Sequence, residues 1–159
     1  MNMRIGFGFD VHQLEAGREF WLGGIKISAD KGATGHSDAD VLIHALCDAL
    51  LGAAGLRDIG YHFPNTDPQW KGKDSRHFLT EVVRMLNAKG WRVGNVDCTV
   101  CLERPKINPH IQSMRAVLAP VLQIPADGVS IKATTNEKLG YIGREEGVCA
   151  YAVALIVKN

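Results

Sequence analysis

The segment RIGFGFDVHQL, residues 4–14, alternates between apolar and other residues. Its alternate apolar positions are Ile5, Phe7, Phe9 and Val11. Because successive side chains of a β-strand point to opposite faces, the alternation predicts a strand over residues 4–15. Asp10 and His12 occupy the other set of positions. They are therefore predicted to project from one face of the strand, opposite the apolar side chains.

The segment SDADVLIHALCDALLGAAG, residues 37–55, predicts the first helix. It begins with Ser-Asp, a typical N-cap sequence, and Gly52 or Gly55 is expected to end it. Residues four apart lie on one side of a helix, and here they form a polar stripe: Asp40, His44 and Asp48. Burying this polar stripe against the face of the strand that carries Asp10 and His12 costs free energy unless a partner such as a divalent cation compensates the buried charges.

Asp10, His12 and His44 together form a predicted metal site. Two imidazoles and one carboxylate are a typical catalytic zinc set, which leaves a fourth position open for substrate or water. The same set also suits non-haem iron, but iron sites of that kind usually lie in all-β barrels, and this sequence predicts several helices. In the alternative interpretation His44 faces solvent, and Asp10 and His12 pair only with each other.

The rest of the chain predicts further helices and strands in a mixed order. Strands are predicted at residues 91–103, 129–135 and 148–158, helices from Asp74 or Ser75 to Lys89 and over residues 109–123, and a hairpin around Gly23-Gly24. Residues 55–75 are rich in glycine, proline and aspartate, which predicts a long functional loop. This order predicts an α+β fold, a single domain over residues 1–159 with a mixed β-sheet covered on one face by helices. The last strand is apolar at nearly every position, which indicates a second surface buried between subunits.

The composition excludes several classes of protein. The 159 residues are 46% hydrophobic and carry a net charge of +1, which argues against nucleic-acid and membrane-surface partners. No apolar run approaches the roughly 18 residues of a membrane span, and the first residues lack a signal-peptide pattern, so a cytoplasmic protein is expected. Cys98 and Cys101 form a C-x-x-C, but an offset of three on a strand places them on opposite faces. Reduced, buried thiols are therefore expected.

Three further features suit phosphate and nucleotide binding, and each has a structural alternative. In KATTNEKLGYIGREEG, residues 132–147, hydroxyls and amides could hold a diphosphate, Glu137 a second cation and Arg144 a phosphate; the alternative is an ordinary polar hairpin loop. Backbone groups of LERPKINPH, residues 102–110, could bind a flat base, or simply lead into a helix. His36 lies beside the free N–H groups of a helix start, where anions bind, or is only a surface neighbour of the cap.

Several strings in this sequence resemble the cyclodiphosphate synthases of the non-mevalonate isoprenoid pathway. They are RIGFGFDVHQL, GHSDADVLIHALCDALLGAAGLRDIGYHFPNTDP, KGKDS, PKINPHI and ATTNEKLGYIGREEG, and they extend over nearly the full chain. The resemblance implies a zinc-dependent phosphorus–oxygen lyase. It would convert 4-diphosphocytidyl-2-C-methyl-D-erythritol 2-phosphate to 2-C-methyl-D-erythritol 2,4-cyclodiphosphate with release of CMP. It also implies a homotrimer whose three sheets surround a central channel, with active sites between neighbouring subunits.

The resemblance assigns roles to individual residues. Asp10, His12 and His44 match the zinc ligands, and His36 and Thr135 match catalytic positions that orient the reacting phosphates. Mg²⁺ or Mn²⁺ would bind through the substrate diphosphate near Glu137. The implied substrate contacts are Asp10, His12, His36, Ser37, Asp58, Ile59, Gly60, Phe63, Pro64, Asn65, Thr66, Asp67, Leu102, Pro105, Lys106, Ile107, Asn108, Ala133, Thr134, Thr135, Asn136, Glu137, Tyr141 and Arg144.

The channel region departs from the family pattern at one residue. Family members can hold an isoprenoid diphosphate in the channel near Tyr141 and Arg144, but Phe7 stands where a polar residue is expected. Two rival functions are a metal-dependent phosphohydrolase and a non-enzymatic module that binds nucleotides or isoprenoid diphosphates. The products of turnover would distinguish all three.

Overall fold

The computed structural model describes residues 2–158, and the strands and helices predicted from the sequence occur in the predicted order. The strands are β1 Met3–Ala16, β2 Phe20–Leu22, β3 Ile25–Ile27, β4 Lys31–Thr34, β5 Trp91–Cys101, β6 Val129–Thr134 and β7 Gly147–Lys158. The helices are α1 Val41–Ala54, α2 Ile59–His62, α3 Ser75–Ala88, α4 Ile111–Leu122 and α5 Gly140–Gly143, with short 3₁₀ turns at Pro68–Trp70, Asn108–His110 and Ala126–Gly128.

Five strands form one mixed sheet in the order β4-β1-β7-β5-β6. Only β5 and β6 are parallel, while the other neighbours are antiparallel. The mixed sheet of the predicted α+β fold is therefore confirmed, and so is the β2–β3 hairpin that turns at Gly23-Gly24. Strand β4 was not predicted, because its sequence, KGAT, is short and lacks an apolar alternation. It is a strand because it pairs with the end of β1, Gln13 opposite Thr34.

Helix α1 packs on one face of the sheet, across β1 and β7. The β1 residues on this face include Gly6, Gly8, Asp10 and His12, and their neighbours on β7 include Ala150 and Ala152. These glycines and alanines are small enough for the helix backbone to approach the sheet closely. Nearly every side chain of α1 is buried, since the sheet covers one side of it and α3 another.

The first helix begins later than the sequence predicts. It starts at Val41 and is capped by Asp40, whose carboxylate accepts the N–H of Ile43 at 3.0 Å. Ser37 is not the cap, because Ala39 has a φ of 58° and interrupts any helix before that point. The helix ends, as predicted, at Gly55, whose φ is 69°.

The opposite face of the sheet is partly apolar, and in residues 2–158 the short helix α5 is the helix that contacts it, through Ile142 against Cys101 and Cys149. Its exposed side chains on β1 and β7 are Met3, Ile5, Phe7, Phe9, Val11, Tyr151 and Val153. The long helices α1, α3 and α4 therefore cover one face of the sheet, as predicted, while the four-residue helix α5 touches the other. None of the helices formed by residues 2–158 has the length and hydropathy needed to cross a membrane.

The cysteines lie where the strand pattern predicts. All four are free and buried. Cys98 belongs to the main core, whereas Cys101 packs in a separate small cluster with Cys149 and Ile142. The C-x-x-C pair therefore points to opposite faces of β5, as expected.

Candidate metal centre and adjoining cavities

Asp10, His12 and His44 converge on one point between β1 and α1. Oδ2 of Asp10 lies 3.0 Å from Nε2 of His12 and 3.0 Å from Nδ1 of His44. The two ring nitrogens are 3.1 Å apart. The side chain of His44 is only 13% exposed, so the alternative in which it faces solvent is wrong. These atoms form the group among the described residues with the spacing of metal ligands.

The environment of these side chains favours a positive charge at their centre. Nδ1 of His12 lies 3.0 Å from the carbonyl oxygen of Thr34, which only accepts, so the ring proton sits on Nδ1 and Nε2 faces Asp10. Burial alone would raise the pKa of Asp10, but His12 and His44, which donate hydrogen bonds to it when their rings are protonated, outweigh burial and lower the pKa well below its usual range. Burial also acts to lower the pKa of His12, but Asp10 raises it overall.

A divalent cation fits this donor set. Ligand atoms about 2.0–2.2 Å from a tetrahedral ion lie roughly 3.3 Å from one another, close to the separations of 3.0 and 3.1 Å found here. Two imidazole nitrogens and a carboxylate oxygen also satisfy a metal that accepts mixed nitrogen and oxygen ligands. The three residues therefore can hold a metal ion and leave one side open.

A cavity of about 400 Å³ opens on that side. The structure brings nine of the predicted site residues to its wall: Asp10, His12, His36, Ser37, His44, Ile59, Gly60, Phe63 and Asn65. Asp58, Pro64, Thr66 and Asp67 are not among the lining residues. Asp58 instead caps α2 by accepting the N–H of Tyr61 at 2.9 Å. The backbone oxygen of Asp67 lies 3.4 Å from Nε2 of His36.

Four residues of this cavity were not predicted as site residues: Gly35, Asp48, Trp70 and Phe78. Asp48 accepts the N–H of Ile59 at 2.7 Å and so holds the start of α2 beside the metal ligands. Burial raises the pKa of Asp48. The sequence feature that could have identified Asp48 is its spacing of four residues from His44, which places both on one side of the helix. Trp70 and Phe78 pack against each other with ring centres 5.7 Å apart, and no local pattern marks them as site residues.

The predicted polar stripe of α1 divides in the structure. His44 and Asp48 face the cavity, but Asp40 is completely buried at the helix start. There it accepts backbone N–H groups of Gly23 and Gly24 at 3.0 and 2.7 Å. Asp40 therefore joins the β2–β3 hairpin to α1 and does not belong to the metal face.

A second cavity of about 140 Å³ lies at the ends of β5 and β6. It gathers eight residues that the resemblance assigns to substrate binding, and the cytidyl group is the part of the substrate expected there: Leu102, Pro105, Lys106, Ile107, Asn108, Ala133, Thr134 and Thr135. The N–H of Leu102 donates to the carbonyl of Thr134 at 3.0 Å, which ties the two walls together. Nucleotide binding by these residues stays a prediction.

The turn after β6 carries the remaining predicted residues. The carboxylate of Glu103 accepts the backbone N–H groups of Asn136 and Lys138 at 2.9 and 3.2 Å and fixes the turn. Glu137 is exposed within it. Tyr141 and Arg144 are not among the lining residues of either cavity, and Arg144 pairs with Glu146 at 3.0 Å.

The two cavities share no lining residue. His36 belongs to the first and Thr135 to the second, so the two predicted catalytic residues line separate cavities in one chain.

Known proteins resemble this chain over almost its whole length. A sequence model of the YgbB family matches residues 3–157. The chain is 63% identical over 158 residues to the 2-C-methyl-D-erythritol 2,4-cyclodiphosphate synthase of Cytophaga hutchinsonii, covering 99% of both chains. A solved 2C-methyl-D-erythritol-2,4-cyclodiphosphate synthase in a CDP-bound form is 41% identical with a TM-score of 0.89, over 96% of this chain and 99% of that one. The bifunctional IspDF of Campylobacter jejuni matches with a TM-score of 0.95 and 38% identity. The match covers 99% of this chain and 42% of the IspDF chain.

Proposed function

The chain belongs to the YgbB family, and from this we propose that it forms 2-C-methyl-D-erythritol 2,4-cyclodiphosphate in isoprenoid precursor biosynthesis. The substrate is 4-diphosphocytidyl-2-C-methyl-D-erythritol 2-phosphate, and CMP is released. The observation that carries the proposal is the convergence of Asp10, His12 and His44 at the wall of a cavity of about 400 Å³. The names of the similar proteins, one of them in a CDP-bound form, support the substrate class.

The reaction needs two anionic groups to meet in line. The substrate's own 2-phosphate attacks the β-phosphorus, a new P–O bond forms, and the P–O bond to CMP breaks. A phosphate monoester has a second pKa of about 6, so this nucleophile is already anionic at neutral pH. No residue has to remove a proton from it, and His36 therefore acts by positioning the phosphate.

The metal in the centre is zinc, since two imidazoles and one carboxylate with an open side form a typical catalytic zinc set. When bound, zinc offsets phosphate charge and polarises the phosphorus. The chain contributes orientation. Asp48 holds the start of α2 beside the ligands, and Ile59 and Gly60 line the cavity for the methylerythritol. Bringing two groups into line in this way can supply roughly 7–11 kcal/mol.

The complete site forms between subunits of a homotrimer. The metal cavity and the cytidine cavity share no residue within one chain, so a substrate that needs both is served by neighbouring chains. The uncovered apolar face of β1 and β7 supplies a surface for assembly around a channel. Thr135 then reaches the reacting phosphates from the cytidine side.

Two further ligands belong to this proposal. Mg²⁺ or Mn²⁺ would bind through the substrate diphosphate near Glu137, which is exposed and lies beside Thr135. An isoprenoid diphosphate in the channel is the ligand proposed for Tyr141 and Arg144. The cytoplasmic location stays a prediction.

Phosphorus NMR of the purified protein with its substrate tests the function. We expect a cyclic diphosphate and CMP with many turnovers per protein. Inorganic phosphate as the product would instead favour the phosphohydrolase, and binding without turnover would favour the binding module.

The His44→Ala variant tests the metal centre. It removes one of three ligands, so we expect it to lose bound zinc, measured by elemental analysis, and several orders of magnitude in turnover. Full turnover by a zinc-free variant would contradict the proposal.

A further inference from the structure

The ring nitrogen of His44 that points away from Asp10 is held by a buried serine. Nε2 of His44 lies 2.9 Å from the hydroxyl oxygen of Ser75, the first residue of α3. Ser75 is fully buried. Its backbone N–H donates to the carboxylate of Asp38 at 2.9 Å, and its hydroxyl donates to the same carboxylate. A chain of hydrogen bonds therefore runs from Asp38 through Ser75 to a metal ligand.

The direction of this chain follows from counting protons. A carboxylate only accepts hydrogen bonds, so the single hydroxyl proton of Ser75 goes to Asp38. The Ser75 oxygen is then an acceptor towards His44 and draws the ring proton of the neutral imidazole to Nε2. With the proton on Nε2, Nδ1 of His44 presents its lone pair to the metal position, 3.1 Å from Nε2 of His12 and 3.0 Å from Oδ2 of Asp10, which competes for the ring proton when no metal is bound.

The two histidines of the centre need opposite tautomers. His12 has its proton on Nδ1, because that nitrogen faces the carbonyl of Thr34, and it presents Nε2. His44 presents Nδ1. A neutral histidine exchanges between tautomers unless a partner selects one, so each ring requires its own outer partner.

We propose that Ser75, oriented by Asp38, is a positioning residue that fixes His44 in the tautomer able to bind a metal through Nδ1. The inference rests on the metal site of the proposed function and is independent of the reaction catalysed there. It explains why a buried serine and a half-buried aspartate from separate segments meet behind a metal ligand and away from the metal cavity.

Ser37 does not perform this task, although it also approaches His44. Its hydroxyl oxygen lies 3.2 Å from Nε2 and accepts the N–H of Ala39 at 3.2 Å. It is also 3.5 Å from the Ser75 oxygen, and either hydroxyl could donate across that distance. Ser75 alone of the two donates to Asp38, so Ser75 sets the direction.

This chain of hydrogen bonds depends on backbone contacts between the loop of residues 55–75 and the segment before α1. The N–H of Asp38 donates to the carbonyl of Lys73 at 3.1 Å, and the N–H of Gly72 donates to the carbonyl of His36 at 2.8 Å. These two backbone bonds bring Ser75 beside Asp38.

Zinc affinity of the full chain, measured by competition with a chromophoric chelator, tests the proposal. Ser75→Ala removes the acceptor, and Asp38→Asn keeps the shape but lets the serine proton turn towards Nε2. We expect each variant to bind zinc 10–100-fold more weakly, the range found when outer partners of metal ligands are removed. Ser113→Ala, on the exposed surface of α4, is the matched control and should bind zinc as the wild type does.

Heteronuclear NMR of the metal-free protein at mildly alkaline pH reports the tautomer directly. We expect the Nε2–H form of His44 in the wild type and a mixture of forms in both variants. A residue that served only the packing of α3 would leave this signal unchanged.

Wild-type zinc affinity in both variants would overturn the proposal, and so would an Nδ1–H form of His44 in the wild type. If Ser75→Ala does not fold, Asp38→Asn and the wild-type spectrum still decide. A wild type that binds no zinc would also overturn the proposed metal centre. If the wild type binds zinc and only the results for the variants differ from expectation, the role of Ser75 is wrong and the metal centre is unaffected.

Discussion

Gly6 and Gly8 bring the metal ligands within reach of one another. A Cβ added at Gly8 would lie 1.9 Å from the carbonyl oxygen of Ala45, and one at Gly6 would lie 1.8 Å from that of Ala49. Both carbonyls belong to the backbone of α1, which cannot give way as a flexible side chain can. A side chain at either position would therefore move α1, and His44 with it, away from Asp10 and His12.

The Gly8→Ala variant should be both less stable and weaker in metal binding. Overpacking of this kind typically costs about 1–3 kcal/mol, occasionally more, and urea unfolding measures it. Gly52→Ala is the control, because a Cβ there meets nothing within 4 Å and Gly52 lies inside α1. Alanine in a helix interior is favoured over glycine by roughly 0.5–1 kcal/mol, so the control should be stabilised. Equal stability of the two variants would contradict the close approach of α1.

At the scale of single elements, buried carboxylates join helices to their neighbours. Asp40 accepts three backbone N–H groups, from Gly23, Gly24 and Ile43. Through these bonds it holds the β2–β3 hairpin on the start of α1, one turn before His44. Burial raises the pKa of Asp40, yet these donors make the carboxyl group a structural part of the helix start.

Helix α3 depends on Asp74 at its start in a way that varies with pH. The Asp74 carboxylate accepts the N–H of Arg76 at 2.8 Å, and the Arg76 side chain is the main cause that lowers the pKa of Asp74. Loss of a cap costs about 1 kcal/mol, so Asp74→Ala should be less stable by that amount at neutral pH. The pKa of Asp74 is lower in the folded protein than in the unfolded chain, where it is about 3.9. The stabilisation is therefore present above the unfolded pKa and is lost as the pH falls through the folded pKa.

Urea unfolding of the metal-free wild type and the metal-free Asp74→Ala variant, at neutral and at acidic pH, measures this pH dependence. The difference in unfolding free energy should shrink in acid. Glu81→Ala on the same helix, which loses only a side-chain contact to Arg84 at 2.9 Å, is the control. Pairs of that kind contribute about 0.2–0.5 kcal/mol. A larger effect of Asp74→Ala in acid than at neutral pH would contradict the assignment.

At the scale of the whole molecule, one face of the sheet is covered by the long helices α1, α3 and α4, and the other is largely uncovered. Phe9 and Tyr151 lie on the uncovered face with ring centres 5.1 Å apart, and Ile5 and Phe7 extend the apolar surface along β1. The homotrimer proposed above would bury this surface. It would also bring a metal cavity and a cytidine cavity of neighbouring chains together.

The Val153→Asp variant tests the assembly. Val153 is 43% exposed in the single chain, so a charge there should cost the isolated fold little. In a trimer the same charge would be buried without a partner, which is costly. Light scattering should therefore show three chains for the wild type and smaller particles for the variant. Ala116→Asp, exposed on α4, should remain trimeric, and a monomeric wild type would show that the proposed assembly is wrong.

Much of the metal centre could be predicted from local periodicity. The alternation along β1 placed Asp10 and His12 on one face, and the helical pattern of residues 37–55 supplied His44. Side-chain direction follows from the backbone period of a strand or helix, so these predictions needed no knowledge of distant contacts. The family resemblance then identified the chemistry, and the matching family and fold agree with it.

The roles of Asp40 and Ser75 depended on contacts between segments that are distant in the sequence. Local pattern placed Asp40 with His44 and Asp48, but packing against Gly23 and Gly24 made Asp40 a buried cap. Ser75 lies 31 residues from His44 along the chain and touches its ring. Periodicity sets the direction of a side chain within its own element, while contacts between elements arise only when the whole chain packs into one core.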